Sequence, residues 1–247
     1  MLNFYEFYVS AFAVALPVLS VAVGMIGAMR SDLSANKIGI FLVIAGMLFG
    51  VWYAWALPLS LGGTFNVPAT FGDPPVVLMF LFGASALIWV MAWWTPLGRQ
   101  ISEATPLSAI AAFQIPRVMG GLFLIGWWTG DIPAMFAFPA GLGDIWAGIA
   151  SWKASRALQQ SAPNAHRLLA RAIAIGIADF ILAVLLGIVT SEGFAHLFHH
   201  NAPNIINDHP LAFFPAYFVP IFLGFHFIAI ARLLQERRAE SCRHAKV

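Results

Sequence analysis

The sequence predicts an all-α integral membrane protein, a seven-transmembrane helix bundle with its N-terminus outside and its C-terminus cytoplasmic. Three observations carry that prediction. Of 247 residues, 60% are hydrophobic and only 10% are charged, against roughly 45–50% and about 25% in a soluble domain. Mean hydropathy is +0.82. Such a chain lacks the charge to solvate its own surface, which excludes soluble and disordered classes. Second, apolar runs of about 20 residues, enough to cross a bilayer, recur along the chain. Third, the charges are sorted by loop.

The first run spans 8–29. Its N-terminal flank carries Glu6 and no cation, the reverse of a cleaved signal peptide, so the run reads as a retained helix. The second, 38–57, carries Trp52, Tyr53 and Trp55 near its end, and the third, 75–95, ends on Trp93 and Trp94. The fourth, 109–128, ends on Trp127 and Trp128; the fifth, 132–152, ends on Trp152. Aromatic rings at run ends fit the two membrane–water interfaces. Thr129-Gly130-Asp131-Ile132-Pro133 separates the fourth and fifth runs, which together are too long for one crossing. The sixth spans 169–190 and the seventh 211–232. Residues 233–247 form a basic cytoplasmic tail, and the whole chain reads as one membrane domain. The continuous runs lack the period-two alternation of a membrane barrel.

Orientation follows from the cations. The loops and helix ends after runs one, three and five, together with the tail, hold 12 of the 13 Lys and Arg. The N-terminus and the loops after runs two, four and six hold none. The positive-inside rule places the basic side in the cytoplasm and the protein in the plasma (inner) membrane. The single cysteine, Cys242, excludes an intrachain disulfide.

Three charges remain inside the runs: Arg117, Asp144 and Asp179. An ionised group at the bilayer centre costs at least about 2.5–3.5 kcal/mol and normally faces the bundle interior. Runs four and five form an antiparallel hairpin about Gly130 and Asp131, and its register puts Arg117 and Asp144 at equal depth. They are read as a structural ion pair. Asp179 lies at a similar level on run six and His226 on run seven. Gln114, three residues before Arg117, shares its face. Pro116 and Pro139 interrupt backbone hydrogen bonding beside these charges, the usual pointer to a site at the midplane. One Arg against two Asp leaves a net −1. A protonated Asp, a protonated His226, a bound cation or a water-filled cavity would each resolve it.

The loop after run six carries Glu192, His196, His199 and His200. If that stretch is helical, Glu192, His196 and His200 share a face, and the set offers imidazole and carboxylate ligands for a divalent metal. The plain alternative is an interfacial segment with Phe194, Leu197 and Phe198 in lipid. Retinal is excluded as a cofactor, because Lys37, Lys153 and Lys246 all lie in loops or the tail.

The reading favoured by the sequence is a small-molecule or ion carrier, proton linkage being one use of the layer. Its substrate or proton site is Gln114, Arg117, Asp144, Asp179 and His226. The alternatives are a non-catalytic sensor or accessory subunit, or a membrane metal enzyme using the histidine loop. No catalytic residue is assigned. The expected partners are the lipid bilayer and a small-molecule or ion ligand, with an oligomer allowed and no nucleic acid.

Overall fold

The computed structural model describes residues 2–244; the last three residues of the predicted tail lie outside the described residues. Helices α1 (Leu2–Arg30), α2 (Ala35–Leu61) and α3 (Val76–Trp94) come first. A short α4 (Pro96–Ala104) and α5 (Leu107–Ala112) lead into a 3-10 segment, Ile115–Gly121. Then come α6 (Leu122–Trp128), α7 (Ala134–Gln159) and α8 (Ala165–Thr190). A π-helical turn, Phe214–Phe218, opens α9 (Val219–His244). Among the described residues there is no strand.

Six helical stretches are long and apolar enough to cross a membrane: Asn3–Arg30, Ala35–Leu61, Val76–Trp94, Leu107–Trp128, Ala165–Thr190 and Phe214–Glu236. The predicted fifth run corresponds to α7, whose 26 residues make it as long as α8. It is less apolar because Asp144, two glycines and Pro139 share its first half.

Burial explains the packing. On α1, Tyr5, Val9, Ala13 and Leu16 are buried, a stripe spaced by three or four residues that faces one side of a helix. Phe214–Glu236 is the most enclosed of the six stretches, with Ile221, Phe222, Phe225, His226 and Ala229 all buried. α7 lies along α8 and the 3-10 segment, and α3 lies along α9. α2 buries only Ala56 and Ser60 and leaves the rest of its length open. Trp52 and Tyr53 are half-buried. Both pack on Tyr217, with ring centroids at 4.7 and 6.0 Å. Trp55, Trp94 and Trp128 are exposed.

The loops gather at two ends. At one, Tyr5 donates to Asp131 at 3.0 Å, Ser60 Oγ meets His209 Nδ1 at 3.0 Å, and Phe194 N–H donates to Pro68 at 2.8 Å. This is the acidic end, carrying Asp73, Asp131, Glu192 and Asp208. At the basic end, α4 is a helix that the sequence reading left as loop. Thr95 caps it by accepting from Gly98 N–H at 3.0 Å, and Pro96 occupies its first turn. Arg232 of α9 holds α4 through the carbonyls of Ser102 and Thr105.

The fourth predicted run is not one uniform helix. Pro116 has no N–H to donate, and Gly120 and Gly121 follow it. The chain tightens to 3-10 pitch here, with Arg117 N–H donating to Gln114 at 3.2 Å. Tyr8 of α1 satisfies the Met119 carbonyl at 2.8 Å. Pro139, by contrast, is carried inside a continuous α7.

Candidate functional site

The 3-10 segment presents Arg117 to the centre of the bundle, where its side chain has no exposed surface. Nε donates to Asp144 Oδ1 at 2.8 Å. Nη2 donates to Asp179 Oδ2. Nη1 donates to the Gly176 carbonyl at 3.1 Å and faces His226 Nε2 at 3.3 Å. The guanidinium also lies over the Phe180 ring, 3.7 Å from its centroid, a cation–π contact. Four elements meet on one cation: the 3-10 segment, α7, α8 and α9.

Small residues make the approach possible. A Cβ on Gly176 would lie 2.5 Å from His226 Nε2 and 2.6 Å from Arg117 Nη1. A Cβ on Gly120 would lie 2.6 Å from Asp144 Cβ, and one on Gly143 would overlap Asp179 Oδ1.

Arginine has only donors, so a hydrogen bond from Nη1 to His226 Nε2 goes with the tautomer that carries its proton on Nδ1. His226 Nδ1 is buried without a partner. Gln114 stands one turn away, donating through Nε2 to the Phe222 carbonyl at 2.9 Å, with Oε1 buried and unpartnered. Arg117 does not bind one carboxylate bidentately. Nε and Nη2 form the side-on edge of the guanidinium, and each takes a different aspartate. The cluster carries one Arg and two Asp. Asp179 Oδ1 is buried and has no partner.

A cavity of about 70 Å³ reaches this cluster. Val67, Ile206 and Asn207 line it towards the acidic end, and Asp144 and Asp179 line it within the bundle. Arg117 and His226 do not line it. The carboxyl side of the layer therefore meets the cavity, while the cation stays behind it. Phe180, the Gly176 carbonyl and Tyr8 were not singled out from sequence. Phe180 directly follows Asp179, but nothing in its type marks it as a guanidinium platform.

The histidine loop is arranged differently. Residues 191–200 form turns and bends, not a helix, so the shared helical face does not form. Gly193 has φ 150° and His199 φ 64°, backbone angles that break helical continuation. His196 and His200 rings still approach, with centroids at 4.4 Å. Glu192, His199 and His200 are exposed. Among the described residues, no three of His, Cys, Asp and Glu converge to hold a metal ion. In the same region Asp208 has its carboxyl pushed up, chiefly by burial, against a hydrogen bond from Asn66 and with help from the Glu192 charge.

No curated protein and no solved structure matches the chain. A family model does match, over residues 74–234, a stretch that contains Gln114, Arg117, Asp144, Asp179 and His226 and leaves out α1 and α2. The chain belongs to the family described as Domain of unknown function (DUF8737).

Proposed function

We propose that this membrane protein is a proton-linked carrier of a small cation, with Asp144 and Asp179 as its exchange site. In this reading the chain crosses the plasma (inner) membrane seven times, α7 included, with the acidic end outside and the basic end in the cytoplasm. The distribution of Lys and Arg supports that orientation.

One observation carries the functional reading. The cavity meets the two carboxyls and not the guanidinium. Arg117 is fully buried, stands behind the cavity and commits four of its five N–H groups to Asp144, Asp179, Gly176 and His226, so it is not placed to bind an anion. Its role is to hold two acids side by side. Their combined charge exceeds its own by one, and a proton or a cation makes up the difference. Buried acids of this kind mark proton relays and ion pathways.

The test uses purified protein in vesicles loaded with a pH dye. A panel of organic and inorganic cations is added outside. At least one cation should drive proton movement in the wild type. Asp144→Asn and Asp179→Asn should abolish that movement while the proteins still elute as single species. Wild-type proton movement in both variants ends the proposal.

A further inference from the structure

The walls of the cavity speak to which cation. We propose that the site takes ammonium or a primary amine cation of methylammonium size, in exchange for a proton. This deepens the carrier reading above and rests on it.

Asp179 supplies the anchor. Its side chain is 5% exposed, its Oδ2 is taken by Arg117, and its Oδ1 has no partner. Asp144 is held by Arg117 through Oδ1 only, which leaves Oδ2 without a guanidinium partner. An ammonium group has several N–H donors and one positive charge, which matches the unpartnered Asp179 Oδ1, the Asp144 carboxyl beside it and one uncompensated negative charge.

The remaining lining is apolar. Asn207 is the one polar side chain beside the two acids. The rings of Phe123, Phe136, Phe180 and Phe214 also line the cavity. Phe123 packs against Phe136 and Phe214 at centroid distances of 5.2 and 4.7 Å. Magnesium and calcium need six or more oxygen ligands in a shell, which this lining does not offer. Aromatic faces attract organic ammonium ions, and they also suit a methyl group. The cavity is small, about 70 Å³, which suits a compact amine better than a bulky quaternary ion.

The exchange balances simply. A protonated Asp179 carboxyl releases its proton to water, and the ammonium takes its place as counter-charge. The charged and titratable groups around it are Arg117, Asp144 and His226, with the Tyr8 hydroxyl committed to Met119.

The experiment is infrared difference spectroscopy on the full chain in lipid nanodiscs. Methylammonium chloride is compared with sodium chloride and tetramethylammonium chloride at equal ionic strength. Methylammonium should deplete a protonated-carboxyl band and release protons into weakly buffered solution; the other two salts should not. Asp179→Asn should lack the band. Gly143→Ala, which crowds Oδ1 while keeping every charge, should weaken methylammonium binding at least tenfold. If the band titrates with pH but ignores methylammonium, the amine assignment is overturned and the proton site stands. If no carboxyl band titrates in the wild type, both fall.

Discussion

Asp144 holds Arg117 through Nε alone, at 2.8 Å. The adjacent Nη2 is left for Asp179, so the two acids share one edge of one cation. The cluster is therefore one charge unit, and its variants should not add. Arg117→Ala strands two buried carboxyls and should cost about 3–5 kcal/mol. Asp144→Asn or Asp179→Asn alone removes the excess charge and should cost clearly less. The double Asn variant strands the arginine and should fall back towards Arg117→Ala. Thermal melting in detergent checks the order; Asp144→Asn melting as low as Arg117→Ala would contradict a shared cation.

Glycine substitutions test how tightly the four elements close. Gly176→Ala meets Arg117 and His226, while nothing lies within 4 Å of a Cβ at Gly39. Gly176→Ala should destabilise by about 1–3 kcal/mol through overpacking. Gly39→Ala on exposed α2 should be neutral or stabilise by up to about 1 kcal/mol, the helix-propensity gain. Melting temperatures of the two single variants, measured side by side, decide this.

Arg232 ties α9 to α4 at the basic end. Nη1 reaches two carbonyls, one at 2.9 Å, and Nη2 reaches Glu236 at 3.2 Å. Arg232→Ala should cost about 1.5–3 kcal/mol, the scale of a charged hydrogen bond. It should also open the Thr95–Thr105 stretch to limited proteolysis, and cleavage no faster than in the wild type would count against the clamp.

Glu103 gives a pH signature. The hydrogen bond from Arg99, at 2.9 Å, holds its carboxyl below the ordinary 4.5, with burial opposing and Gln235 and the Arg99 and Arg232 charges assisting. A depressed carboxyl adds stability above its unfolded value and loses it as pH falls through the folded one. The gap in stability between wild type and Glu103→Gln should be constant above about pH 4.5 and close below it. The side chain is 37% exposed, so the gap should be small and shrink further in salt. Thermal melts from pH 3 to 7, on the order of one point per half unit, read it out.

Hydropathy and loop charge made the place of each long helix readable, because burying apolar length in lipid dominates the energetics, while the ends of α1, α7 and α9 run six to twelve residues past the apolar runs. The meeting of Arg117 and Asp144 follows closely from hairpin register, since α6 and α7 advance by equal rises about Gly130 and the few 3-10 residues after Arg117 add only about 2.5 Å. What stayed hidden depends on hydrogen-bond pitch and on distant partners. Apolar windows do not distinguish 3-10 from α geometry, so Ile115–Gly121 read as part of one helix. The short α4 was signalled only by Thr95-Pro96, a cap followed by a first-turn proline. Tyr8 reaches Met119 across 111 positions, and no local pattern announces such a contact. Trp52 and Tyr53 were readable only as residues near a run end; their packing against the buried Tyr217 depends on a partner more than 160 positions away.

The 3-10 segment beneath Arg117 also sets a length scale for movement. A 3-10 helix rises about 2.0 Å per residue and an α-helix about 1.5 Å. Rewinding the seven residues of Ile115–Gly121 to α pitch would shorten them by roughly 3.5 Å and turn their side chains about the axis. Arg117 sits within this stretch, so such a change of winding would act as a screw and displace the cation relative to both acids at once, without a hinge between whole helices.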